Sequence, residues 1–215
     1  TIAPTEAIIY ECSVRDMTMH PFTGTTTHGK FKSLCEDGTE YRGLPTGLNY
    51  IKSLGITHVQ FMPLTDFSTV DDFKPELNYN WGYDPRQYLS LKGSFSSDPD
   101  HPYVRMKEFK ELVSCLHRNH LRVTLDVVFN HVYDVAETAF DCLVPYYYFR
   151  YNEEGYMSNG SYCGNDFATE MPMASRYLVY VIRSLMQIYG IDGFRFDLMG
   201  IIDVATMNKI RNEAI

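Results

Sequence analysis

The stretch "LRVTLDVVFNH" (121–131) reads as a short strand buried on both faces whose last residues turn polar. Its body is Val, Leu and Thr with no helical period, the composition of a covered parallel strand. Asp126 sits inside that apolar run, where an unpaired carboxylate would be costly, so a partner is demanded. Asn130 and His131 close the stretch, at the end where α/β proteins build their sites. Three more runs share this character: "AIIYECSV" (7–14), "ITHVQFMPL" (56–64) and "IDGFRFDLM" (191–199).

Helical patterns separate these runs. "GLNYIKSLG" (47–55) ends on a glycine suited to a helix C-terminus. "VRMKEFKELVSCLHRNH" (104–120) gathers Met106, Phe109, Leu112, Val113 and Leu116 on one stripe. "SRYLVYVIRSLMQIYG" (175–190) is apolar nearly all round and also stops at glycine, and "DVATMNKIRNEAI" (203–215) opens on Asp203 as an N-cap. The alternation predicts four β/α units with a parallel sheet. Four such strands suit an open doubly wound sheet or half of an eight-stranded barrel. No GxGxxG or GxxxxGKS follows the first strand, which disfavours the nucleotide-binding version. The expected fold is therefore α/β, the first half of a (β/α)8 TIM barrel, as one domain over 1–215. Two connections, 65–100 and 132–171, are too long for simple turns and are expected to carry function.

Composition narrows the partners. The chain is 45% hydrophobic with a formal net charge of −8 and no lysine or arginine run, so nucleic acid and anionic membrane are disfavoured. Its 17 Tyr and 13 Phe supply flat stacking surfaces for a neutral polyol ligand. Five cysteines (Cys12, Cys35, Cys115, Cys142, Cys163) are scattered, odd in number and unpaired in CxxC fashion, so neither a disulfide framework nor a zinc site is expected. Reduced cysteines favour a cytoplasmic setting. No apolar run reaches membrane-spanning length, and the opening "TIAPTEAIIY" has neither signal-peptide character nor a Met, as in a segment that begins inside a longer product.

The chemistry-bearing residues cluster late. In "GFRFDLMG" (193–200) alternation sends Phe194, Phe196 and Leu198 one way and Arg195 and Asp197 the other, into an interior expected to be otherwise apolar. An arginine and an aspartate placed so must pair, and the guanidinium favours the ionised carboxylate and holds its oxygens. A charged carboxylate fits a nucleophile; a structural ion pair is the alternative reading. Asp126 and Asn130 share a face at period two, and Arg195 on the next strand is within reach of Asp126. Asn130 is of a type that ligates calcium, but no clustered carboxylate site accompanies it, so no metal is expected. "YNWGYDP" (79–85), holding the only tryptophan, suits neither helix nor central strand and reads as a rigid aromatic loop with one carboxylate.

"DVVFNH" followed by "GFRFDLMG" resembles the first two signature regions of the alpha-amylase superfamily of glycoside hydrolases, and "YNWGYDP" resembles the hallmark of the type I pullulanases. The flanks "IYECSVRDMT" (9–18), "TGLNYIKSLGITHVQFMPLTDF" (46–67) and "VPYYYFR" (144–150) agree in order along nearly the whole chain. The resemblance implies a retaining attack on α-1,6 bonds of pullulan, starch or glycogen-type glucans without a cofactor. It implies Asp197 as nucleophile, Arg195 orienting it, His131 holding a sugar hydroxyl, and Asp126 and Asn130 bracing the site. Tyr83 is implied to stack beneath the sugar, with Trp81 and Asp84 shaping the pocket and Tyr146, Tyr147 and Tyr148 lining the cleft. Isoamylase or neopullulanase specificity, or a glucan-binding remnant without turnover, are the competing readings. Met171 departs from the arginine expected after the glutamate of "TEMPMASR" (169–176). The family's general acid and its later His-Asp pair have no counterpart, since Glu153, Glu154 and Glu170 lie upstream of the nucleophile. Loss of general acid catalysis costs about 10²–10⁴-fold. The expectation is a fragment of an enzyme, inactive by itself, with exposed sheet edges that favour self-association.

Overall fold

The computed structural model describes residues 2–214, so Ile215, the last residue of the predicted fourth helix, lies outside the described residues. Strand β1 (Ile9–Cys12) leads through a one-turn helix α1 (Asp16–Met19) into a two-stranded hairpin, β2 (Glu40–Tyr41) and β3 (Leu44–Pro45), and then helix α2 (Gly47–Ser53). Strand β4 (His58–Phe61), helix α3 (Pro102–Arg118), strand β5 (Arg122–Val127), helices α4 (Ala139–Leu143) and α5 (Pro172–Tyr189), strand β6 (Gly193–Phe196) and helix α6 (Val204–Ala214) follow. The four strands and four main helices fall where the apolar runs and stripes placed them, each strand shorter than its run.

All three pairings among the long strands are parallel, and the sheet order is β1-β4-β5-β6. Each strand therefore lies beside the previous long one, the winding of a barrel wall; a doubly wound sheet reverses its order midway. One face is dry. Val59, Phe61, Val123, Leu125 and Val127 are buried there together with Phe109, Leu112 and Val113 of α3 and Leu178, Val181 and Leu185 of α5.

The other face differs from expectation. Register places Glu11, Gln60, Thr124 and Gly193 in one row, and Asp126 opposite Arg195 one step further along. The surroundings of Arg195 and Asp197 are thus polar, not apolar. Alternation on a strand says which side chains share a face, but not what the neighbouring strands contribute to it.

Helix ends follow local chemistry. Gly190 closes α5 in a left-handed conformation, with its N–H donating to the Met186 carbonyl at 2.8 Å. Asp203 Oδ1 accepts from the Thr206 N–H at 2.9 Å, which caps α6. Sequence reading missed the β2–β3 hairpin; its two central residues, Arg42 and Gly43, both have positive φ, as a tight two-residue turn requires.

The two long connections are folded segments. The first doubles back on itself through bridges Thr65–Leu91 and Phe67–Pro85, the second through Phe149–Phe167 and Tyr151–Met157. Beneath them Tyr88 packs against Phe129 and Phe167 with ring centroids 5.2 and 5.4 Å apart, and Phe140 lies between Phe167 and Tyr177. This aromatic layer seats the end of β5, since the buried Tyr88 hydroxyl donates to the His131 carbonyl at 2.8 Å.

Candidate active site

The polar ends of β5 and β6 meet as their register dictates. Arg195 is the hub: its Nη1 donates to Asp126 Oδ2 at 2.7 Å and to Asp197 Oδ1 at 3.0 Å. The Tyr83 hydroxyl donates to the same Asp126 oxygen at 2.6 Å. From the other side Asn130 Nδ2 donates to the Asp197 carbonyl at 2.9 Å and to its Oδ2 at 3.0 Å. His131 Nδ1 in turn bonds Asn130 Oδ1, an oxygen that can only accept, so the ring carries its proton there. One continuous chain thus runs from Tyr83 through Asp126, Arg195, Asp197 and Asn130 to His131, and both oxygens of Asp197 are held.

Backbone geometry sets the carboxylate at the strand end. The Asp197 N–H donates to the Val127 carbonyl at 3.0 Å, the last rung of the ladder. Leu198, next in sequence, sits in the left-handed region at φ 43°, which an L-residue adopts at a cost of about 1–3 kcal/mol. The chain breaks away there and leaves the Asp197 side chain 16% exposed beside the cleft.

Burial acts differently on the members. It raises the Asp126 carboxyl above the usual carboxylate range; Tyr83 and Arg195 pull it back and Asp197 pushes it further up. Its second oxygen, Oδ1, is buried and makes no hydrogen bond among the described residues. Burial also lowers the His131 imidazole, against the pull of the Tyr83 backbone and the charges of Asp197, Asp84 and Asp166, so the ring is held neutral. The Tyr83 hydroxyl is raised by burial and by donating to a carboxylate, which keeps it a donor.

Gly82 gives "YNWGYDP" its bend. Its φ is +97°, and a Cβ there would come within 3.0 Å of Pro63 and 3.2 Å of the Phe67 ring. Asn80 spans the turn, accepting from the Gly82 N–H at 2.6 Å. Asp84 is turned into its own loop, where its Oδ2 accepts from the Thr69 N–H at 3.0 Å, so it shapes the pocket through the backbone. Trp81 stands 60% exposed on the rim, its indole N–H donating to the Tyr79 hydroxyl at 2.9 Å.

The cleft is lined by Glu11, Met62, Trp81, Tyr83, His131, Cys163, Arg195, Asp197 and Leu198. The sequence reading missed Glu11, Met62 and Cys163, and it sent Leu198 to the face opposite Asp197; the strand ends at Phe196 and the left-handed turn at Leu198 breaks the alternation, so Leu198 joins Asp197 at the cleft. The signal for Cys163 was present: it belongs to the Gly- and Asn-rich turn "SNGSYCGND" (158–166), which the buried Asp166 carboxylate organises by accepting from the Gly160 and Ser161 N–H groups at 2.7 Å each. Of the three consecutive tyrosines, Tyr148 packs into the aromatic layer against Phe140, the Tyr147 hydroxyl accepts from the Met173 N–H at 3.2 Å, and Tyr146 stands exposed. None of them lines the cleft that holds Asp197.

A family profile described as alpha amylase, catalytic domain, matches residues 20–144, more than half of the chain. The chain belongs to the alpha-amylase family. It is 42% identical over 212 residues to the pullulanase of Bacillus subtilis strain 168, a match spanning 98% of this chain and 30% of that protein. Pullulanase 1, chloroplastic, of Arabidopsis thaliana is 32% identical over 236 residues, with 93% and 24% covered. The crystal structure of the Paenibacillus barengoltzii pullulanase in complex with maltohexaose and alpha-cyclodextrin superposes with a TM-score of 0.96 at 47% identity, over 99% of this chain and 33% of that one. The Anoxybacillus sp. LM18-11 pullulanase complexed with maltotetraose gives 0.97 at 47% identity, over 99% and 31%. This member of the alpha-amylase family therefore spans about a third or less of the relatives it matches.

Proposed function

We propose that these residues form the nucleophile half of a retaining debranching glycoside hydrolase that cleaves α-1,6 bonds in pullulan, starch or glycogen-type glucans. The observation that carries the reading is Asp197. It is bonded through one oxygen to Arg195 and through the other to Asn130, at the mouth of a cleft whose rim is Trp81 and Tyr83. In this reading Asp197 attacks the anomeric carbon and forms a glycosyl ester, while the aglycone oxygen leaves with a proton from an acid; water then hydrolyses the ester. Arg195 and Asn130 orient the attacking oxygens, His131 bonds a hydroxyl of the sugar in the cleft, and Tyr83 stacks beneath its ring.

Retention needs an acid about 5 Å from the nucleophile. Asp126 is committed to Arg195 and Tyr83. Glu11 lines the cleft but lies in the row two residues before Asp126 and Arg195 along the strands. We infer that the acid comes from outside the described residues, and that the 215-residue chain binds glucan without turning it over. The α-1,6 preference rests on "YNWGYDP" and on the pullulanases that match along nearly the whole chain. We further propose one domain over 1–215, a cytoplasmic setting and self-association through the outer edges of β1 and β6.

Calorimetric titration of the chain with maltotetraose, alongside a reducing-end assay on pullulan, tests the reading: binding without release of reducing ends is expected. A chain that binds no maltotetraose refutes it. Joined to the remainder of a barrel, the same residues should hydrolyse pullulan, and Asp197→Ala should remove on the order of 10⁴-fold or more of the rate, the scale on which losing a nucleophile acts. Retained hydrolysis would overturn the nucleophile assignment.

A further inference from the structure

Lys92 is 4% exposed, and lysine is almost never so buried without full satisfaction. Its ammonium donates to the carbonyls of Phe67 at 2.8 Å and Val70 at 2.7 Å. The carboxylates of Asp72 and Asp66 lie 3.0 and 3.5 Å away, and the Phe67 ring is 4.9 Å below the nitrogen. Two carboxylates and two carbonyls converging on one point form the oxygen-only donor set that a hard cation takes. Here an ammonium tethered to the chain fills that place.

The segment so gripped, 66–72, is the back wall of the aromatic loop. The Ser68 N–H donates to the Asp84 carbonyl at 3.1 Å and the Thr69 N–H to Asp84 Oδ2 at 3.0 Å. Asn80 Nδ2 donates to Thr69 Oγ1 at 2.6 Å, Phe67 bridges Pro85, and the Arg86 N–H donates to the Asp66 carbonyl at 2.8 Å. Gly93 lets the cage close: a Cβ there would come within 2.2 Å of Asp72 Oδ2. Remove the ammonium and Asp66 and Asp72 are left facing each other with no charge between them, so the bend should open.

We propose that Lys92 is a positioning residue for the sugar-stacking loop, its buried ammonium serving as a built-in cation that pins 66–72 and through it Trp81, Tyr83 and Asp84. Calling the loop sugar-stacking rests on the function proposed above; the pinning itself does not. Because Trp81 is the only tryptophan, its fluorescence reports on the loop alone. In Lys92→Met, with far-UV circular dichroism unchanged, the fluorescence anisotropy of Trp81 should fall clearly below the wild-type value as the loop gains mobility, and maltotetraose affinity should fall about tenfold or more. Asp72→Asn, which removes one of the two carboxylate charges, should move both readouts the same way by less. A folded Lys92→Met with Trp81 anisotropy unchanged and affinity within about twofold of wild type, even if it melts at lower temperature, overturns the proposal, since a merely structural lysine would lower stability and leave the loop intact. If Lys92→Met does not fold, an unchanged Asp72→Asn overturns it instead. A wild-type chain that binds no maltotetraose, alongside a Lys92→Met with a loosened Trp81, sinks the sugar reading and leaves the positioning role standing.

Discussion

Tyr83 separates two jobs on one side chain. Its ring lines the cleft while its hydroxyl bonds Asp126, which no other described hydroxyl does. A hydrogen bond to a charged group is worth about 1.5–3 kcal/mol. In a hydrolytically competent barrel, Tyr83→Phe should therefore lower kcat about tenfold or more while the maltotetraose Kd stays within about twofold, and Tyr83→Ala should weaken both. His131 supplies a stability prediction. Its folded pKa lies below the ordinary value of 6.5, chiefly through burial, so the unfolded chain binds the extra proton first. Stability is then full above about pH 6.5 and falls as pH drops below it. Urea unfolding between about pH 7.5 and 5.5 should show that slope, and His131→Gln should flatten it; His58, also lowered by burial and by Arg122, retains its share in both proteins. An identical slope in the variant would refute the assignment.

The loop carrying "YNWGYDP" holds its shape because one residue lacks a side chain. Gly82→Ala combines a left-handed φ with contacts of 3.0 Å to Pro63, and should cost about 2 kcal/mol by chemical denaturation. Gly43→Ala is the control, with φ +76° and nothing within 4 Å of a Cβ; it should cost about 1 kcal/mol, the strain alone. Equal costs would mean that the Pro63 contact yields freely. The elements themselves were legible at this scale. Apolar runs located all four long strands, and glycine stops and the Asp203 cap bounded helices, because these signals are written within a few residues. The β2–β3 hairpin was not, since "EYRGLP" (40–45) shows only two paired residues on each side of its turn.

The whole molecule is a wall of four parallel strands with helices on one side. Its outer strands, β1 and β6, pair on one edge only among the described residues, and Ile8 and Ile9 are exposed beside the first of them. Unpaired edges template association. Light scattering should show an apparent mass that grows with protein concentration, and Ile9→Lys, which places a charge on the β1 edge, should reduce it; a mass independent of concentration would rule self-association out.

From local pattern alone, the sequence determined the order of strands and helices, Asp197, Arg195 and Asp126 as charged residues set into apolar runs that demand partners, and the special character of 79–85. Each of these depends on neighbours a few positions away. Tertiary structure decided the rest. Only register brings Asp126 opposite Arg195 and surrounds them with Glu11, Gln60 and Thr124 in place of apolar groups. Only packing separates the tyrosines, sending Tyr88 and Tyr148 into an aromatic layer and Tyr83 to the cleft. Composition treats these rings alike, and what distinguishes them is which backbone lies opposite once the long connections have closed.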